Sequence, residues 1–368
     1  MSKNFWRIKD ASKQVGIFVG GCILKKVLSA FVALSIGINL TGCSWDDPKS
    51  VANDGVFRIA MVPDMGGVND QSFNQSALEG LYELRDEKGA QISYMESKQF
   101  SDFALNLDKL SDGPSDLIIG VGNALSDAVE EVSARNLDKN FAIVDFSFGE
   151  NIANNVTGIV FRAQEGAFLV GYIAGMTTKT NKVGFVGGMK NVIIDQFQYG
   201  FEAGVLHAAK EKNVSIEVLS QYAESFSDAA KGKAIGSRMY SSGCDIIFHA
   251  AGGVGYGVIE SAKELNKFVI GVDRDQSYLA PDNILTSAVK NVGTAVKLVS
   301  KELMDGKTIG GKNYEFGLKE GCVGIPKNHK NIEQAIYEKA MSLSKLVENG
   351  AITVPFDRET FESYKENF

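Results

Sequence analysis

The chain reads as an α/β protein of two doubly wound lobes with a ligand cleft between them. Short apolar runs alternate with amphipathic stretches, and the alternation runs through twice in succession. The composition agrees: 368 residues, 44% hydrophobic and 23% charged, with 39 glycines and only six prolines, suit a large core and many tight strand-to-helix turns. Several strand ends also carry a polar residue or a glycine pair. Open α/β sheets bind small molecules at that carboxyl edge.

The chain opens with a basic, apolar segment. Lys25 and Lys26 precede the run 27–40, and Leu40-Thr41-Gly42-Cys43 follows, which resembles a bacterial lipobox whose cysteine is acylated. Residues 1–42 are therefore expected to be a lipoprotein signal, with 1–24 surplus and read as an over-extended start, and 43–55 to be the acylated Cys43 and a tether. The apolar run is short for a transmembrane helix. Residues 1–42 hold six Lys/Arg and one Asp, so the remainder has 32 basic and 44 acidic residues, a net of −12. That acidity excludes nucleic acid as a partner, because phosphate contacts need clustered cations.

From Phe57 the first series predicts strands at 57–62, 91–95, 116–121, 141–144 and 156–160, with helices at 73–88, 101–110 and 124–134. A second series predicts helices at 164–178, 194–212, 227–242 and 255–265 between strands at 182–187, 216–220, 245–249 and 268–272. Small-residue stretches near 160–163, 287–291 and 313–317 are the expected crossings between lobes. Three crossings define a type I periplasmic-binding fold. The expected lobes are 56–162 with about 290–314, and 163–289 with about 315–368. Residues 294–304 and 332–347 show helical period, and the last dozen residues are polar enough to fray. No internal repeat is strong enough to argue from.

The first strand leads into Asp64-Met65-Gly66-Gly67-Val68-Asn69-Asp70-Gln71-Ser72-Phe73-Asn74. The glycines permit close approach or positive φ, and Asp70 or Ser72 can cap the helix that follows. Further on, Asp145 follows Phe-Ala-Ile-Val, Gly252 and Gly253 follow Ile-Ile-Phe-His-Ala-Ala, Asp273 follows Phe-Val-Ile-Gly-Val, and Lys290 follows Leu-Thr-Ser-Ala-Val. Singly, these also read as turn caps, tight turns or a solvated crossing lysine.

Together they resemble the basic membrane lipoprotein (Bmp) family, purine nucleoside receptors that serve ABC importers and have spirochaete members. The resemblance implies that Asp64, Asn69 and Asp145 hydrogen-bond the base, that Phe73 stacks on it, and that Asp273 and Lys290 hold the ribose. Phe197 is the choice for the opposite aromatic wall, with Tyr199 and Phe201 as alternatives, and Gly252 and Gly253 line the loop. The resemblance further implies a purine nucleoside as ligand, an ABC permease as partner and a membrane attachment through the lipid. Members have also been proposed to bind host extracellular matrix proteins, which leaves a host-binding surface lipoprotein as one alternative and a sugar receptor of the same fold as another. The word "basic" does not fit this acidic chain.

The chemistry of the residues agrees independently. Flat apolar faces suit a heterocycle, and ionised aspartates make strong bonds to N–H and O–H donors. Three aspartates against one lysine disfavour a phosphate. No cofactor or metal is expected: phosphate-loop, zinc and EF-hand spacings are missing from the sequence. No enzyme is expected either, because His207, His249 and His329 belong to no nucleophile constellation. Cys244 and Cys322 read most simply as buried thiols, with a disulfide as the alternative.

Overall fold

The computed structural model describes residues 54–149 and 151–368; the signal, Cys43 and nearly all of the tether lie outside them. Two six-stranded sheets form the body. The first has β1 (Arg58–Pro63) flanked by β2 (Gln91–Tyr94) and β3 (Leu117–Val121), then β4 (Asn140–Val144), β5 (Val156–Phe161) and a late arrival, β11 (Lys312–Phe316). All its pairings are parallel, with Ile59 opposite Leu117 and Tyr314 opposite Ile159. The second sheet repeats the order with β7 (Glu217–Tyr222), β6 (Lys182–Gly187), β8 (Ile246–Ala250), β9 (Phe268–Asp273) and β10 (Ile284–Lys290), closed by β12 (Val323–Gly324) antiparallel to β10.

Central strands are buried on both faces, as parallel sheets covered by helices require. The edge strands β2 and β7 carry polar residues and are largely exposed or half-buried. Helices α1 (Phe73–Lys88), α2 (Asp102–Ser111) and α3 (Ser126–Arg135) cover the first sheet, joined by α8 (Val292–Met304), which packs on α1. The second is covered by α4 (Ala163–Thr177), α5 (Val192–Lys212), α6 (Ala229–Ser241), α7 (Val254–Leu265) and α9 (Gln334–Glu348). Every residue of α4 from Ala163 to Gly175 is buried, consistent with its apolar sequence on all sides. It lies against α5 at backbone contact: a Cβ on Gly204 would sit 2.0 Å from the Phe168 carbonyl oxygen.

The chain passes between the sheets after β5, after β10 and after β11. Arg162, at the first passage, bonds Glu165, Glu315 and Glu320 and so ties the first and third passages together.

The stretch near 287–291 leads into a crossing as expected, and the strand that ends at Lys290 is β10, paired with β9, with Ile284, Leu285 and Ala288 buried in the core. One expectation needs correction. The last dozen residues do not fray but form α10 (Arg358–Asn367). Asp357 and Thr360 make a reciprocal capping box, and Phe361, 7% exposed, packs against Tyr199 with ring centres 5.7 Å apart.

Candidate functional site

Strand β1 leads directly into Asp64, and the loop that begins there is shaped by two carboxylates. Asp70 accepts the backbone N–H groups of Ser72, Asn74 and Gln75 at 2.8–3.0 Å, so it satisfies the start of α1. Asp64 accepts from Gly66 N and Asn74 Nδ2 at 2.8 and 2.7 Å, while its own N–H donates to Asn74 Oδ1. Burial pushes the Asp64 carboxyl above its ordinary range, against the pull of those two hydrogen bonds. Helix α1 therefore begins at Phe73, which is half-buried at the sheet edge.

Lys290, at the end of β10, is the centre of the arrangement. The residue is 2% exposed, and its ammonium meets Asp145 Oδ2 at 2.5 Å. It also lies over three rings, 4.5 Å from the centre of Phe73, 5.4 Å from Phe161 and 5.8 Å from Phe197. A buried ammonium needs such compensation. The other carboxylate oxygen of Asp145, Oδ1, is buried and has no protein partner. It remains an acceptor for a donor from elsewhere.

Asp273 closes the group from the end of β9. Ser72, from the first lobe, donates its hydroxyl to Asp273 Oδ2 at 2.6 Å. Burial pushes the Asp273 carboxyl up to about 6, with the Lys290 charge and the Ser72 hydroxyl pulling the other way. Both Asp145 and Asp273 have left-handed backbone, φ 62° and 64°, which turns each side chain off its strand end.

Phe73, Asp145, Phe197 and Lys290 thus come together, with Asp273 within the field of Lys290 and Asp64 within that of Asp145. Phe197 is 3% exposed and edge-on to Phe248. Of the alternatives, Phe201 sits in the core against Phe185 and Phe248, and Tyr199 faces α10. Asn69 is exposed on its loop. Gly252, φ 53°, and Gly253 follow β8 at the same sheet edge, and the Gly253 N–H donates to the Phe226 carbonyl at 2.8 Å. A Cβ on Gly252 would meet that carbonyl at 3.0 Å.

Sequence reasoning missed Phe161 and the cross-lobe use of Ser72. Phe161 ends β5 directly before a crossing, the same strand-end signal that picked out Asp145. His249 is sealed at the end of β8, where burial lowers its imidazole to about 4, so it stays neutral. Cys244 and Cys322 are buried free thiols. No group of three or more His, Cys, Asp or Glu among the described residues is placed to hold a metal, and no described helix is long and apolar enough to cross a membrane.

Two like-ordered parallel sheets with polar strand ends meeting over aromatic rings define a two-lobed solute-binding protein. The solute-binding protein of an ABC transporter system from Aeropyrum pernix K1 superposes with a TM-score of 0.75 at 26% identity, covering 84% of this chain and 96% of that one. Residues 57–358 match the family described as ABC transporter substrate-binding protein PnrA-like (Bmp), and the chain belongs to that family. It is 43% identical to basic membrane protein A of Borreliella afzelii over 324 residues, 87% of this chain and 98% of that protein. It is 42% identical to the CD4+ T-cell-stimulating antigen of Listeria innocua over 351 residues, 89% and 97% of the two chains. The family is one of substrate-binding proteins rather than enzymes, and the Aeropyrum pernix structure is a solute-binding protein as well. Membership implies an envelope-associated ligand-binding protein with an ABC transporter as partner.

Proposed function

We propose that this chain is a lipid-anchored receptor that closes its two lobes over a purine nucleoside and delivers it to an ABC permease. The observation that carries the reading is the convergence of Phe73, Phe197, Asp145 and Lys290 from four separate segments onto one spot. In this reading the two phenylalanines take the faces of the base, and Asp64, Asn69 and Asp145 accept its N–H groups. The unpartnered Asp145 Oδ1 supplies one ready acceptor. Asp273 and Lys290 take the ribose hydroxyls, and Gly252 and Gly253 let the loop approach closely. The aspartates outnumber the lysine, so a phosphate is repelled and nucleosides are preferred to nucleotides. Cys43 in its lipobox-like setting carries the anchor.

The test is thermal unfolding of protein first unfolded and refolded to strip bound ligand, then scanned with adenosine, guanosine, inosine, cytidine, AMP and ribose. A ligand of the folded state raises stability by RT ln(1 + [L]/Kd). Upward shifts with the purine nucleosides, and none with AMP or ribose, are expected. A shift with ribose alone would replace this reading by a sugar receptor. No shift with any of them would leave the host-binding lipoprotein as the reading to pursue.

A further inference from the structure

We infer that Ser72 and Tyr256 are positioning residues that set how long the lobes stay shut on a ligand. The inference rests on the nucleoside-receptor reading for its ligand but on protein contacts for its geometry. Three consecutive residues of the first lobe each meet the second. The Asp70 carbonyl accepts the Tyr256 hydroxyl at 2.5 Å, Gln71 Oε1 accepts the Tyr278 hydroxyl at 3.0 Å, and the Ser72 hydroxyl donates to Asp273 at 2.6 Å. Arg274 adds a contact to Glu79 at 3.3 Å.

The local structure is arranged for these contacts. Ser72 stands where a serine ordinarily caps a helix with its side chain, yet it makes no such bond, because Asp70 already takes the first N–H groups of α1. The Ser72 hydroxyl is thereby released to reach across, and it is 1% exposed. Gln71 between them holds left-handed backbone, φ 48°, a conformation that a non-glycine residue keeps only when its surroundings impose it.

These bonds differ in kind from the Arg162 cluster, whose partners all lie on or beside the passages between lobes. A hinge motion leaves passage residues together but separates residues 70–72 from Tyr256, Tyr278 and Asp273. The contacts exist only in the closed state, so they stabilise it without contributing to the first encounter with ligand. Their loss appears in dissociation, not in association.

The experiment uses the full chain and the variants Ser72→Ala, Tyr256→Phe, their combination, and Tyr94→Phe as an edge-strand control. Each single latch variant is expected to speed inosine dissociation about fivefold, the usual worth of one hydrogen bond, with association within about twofold of native. The pH midpoint governed by Asp273 moves upward in Ser72→Ala, which removes a bond to its charged form, and stays in place in Tyr256→Phe. Hydrogen exchange of the ligand-free protein supplies a second readout: peptides covering 64–74 and 268–276 exchange faster in the latch variants than in native protein or the control. Dissociation and exchange both unchanged in the combined variant overturn the inference. If native protein binds no nucleoside, the functional reading fails by itself, and the exchange data alone decide the latch: faster exchange upholds it, unchanged exchange overturns it.

Discussion

Asp145 and Asp273 hold the same place in the two lobes and are used differently. Asp145 directly follows β4 and Asp273 ends β9, the strands next to β3 and β8 in their sheets, and their left-handed φ values lie within two degrees of each other. Asp145 meets an ammonium, Lys290, at 2.5 Å, whereas Asp273 meets a hydroxyl, Ser72, at 2.6 Å. The repeated topology sets where a side chain stands; its partner sets whether the charge is comfortable there. One lysine serves a site with several carboxylates, and it is bonded to only one of them.

Removing the charge from each aspartate should therefore have opposite effects on stability. Asp145→Asn strands a buried ammonium and is expected to cost about 3 kcal/mol in urea unfolding at pH 7, with Lys290→Met in the same chain restoring at least half. Equal stability of Asp145→Asn and native protein would dissolve the contrast. Asp273→Asn should stabilise. The folded carboxyl titrates at about 6 against an ordinary 3.8, so the native aspartate favours folding fully below about 4 and loses that advantage as pH rises through 6. The variant, which never ionises, is expected to gain up to about 3 kcal/mol over native at pH 8 and nothing at pH 4, while binding ligand less tightly. A difference that does not change between pH 4 and pH 8 would show that Asp273 titrates normally.

The aromatic partners sharpen the same comparison with a smaller effect. Phe197→Leu and Phe73→Leu should each weaken a purine nucleoside by about fivefold to tenfold in calorimetry, since they lose ring stacking and keep apolar area. If only Phe73 matters, the second lobe contributes no aromatic wall. At the C-terminal helix, Asp357→Ala should remove the capping box of α10 and cost about 1 kcal/mol of stability, with ligand affinity unchanged. An altered affinity there would mean that the C-terminal helix is coupled to the cleft.

Much of this was legible in the sequence, because apolar period follows burial. Both βα series were readable from their strands, as were the carboxyl-edge positions of Asp145, Asp273 and Lys290. What escaped depends on contacts between segments far apart. Nothing local distinguishes a Ser72 that caps α1 from one that bonds Asp273, 201 residues away. Asn69 sits in the motif and yet is exposed, since its loop follows Gly67 at φ 69° and the bonds of Asp70. The polar average of residues 357–368 hid a capping box and one buried phenylalanine. Strand β10 carries Ser287 and Ala288 in its middle, neither of them a strong strand former, and its identity comes from pairing with β9.

The route of the chain between sheets also constrains how the protein is made. Strand β11 pairs with β5 although some 150 residues separate them, as the pairing of Tyr314 with Ile159 shows. A polypeptide emerging N-terminus first cannot complete its first sheet until the second is almost fully synthesised, and the exposed edge of β5 must wait. Such long sequence separations slow folding, because loop entropy is lost before the pairing rewards it. For most of its synthesis a nascent chain of this topology therefore carries β5 as an unpaired sheet edge.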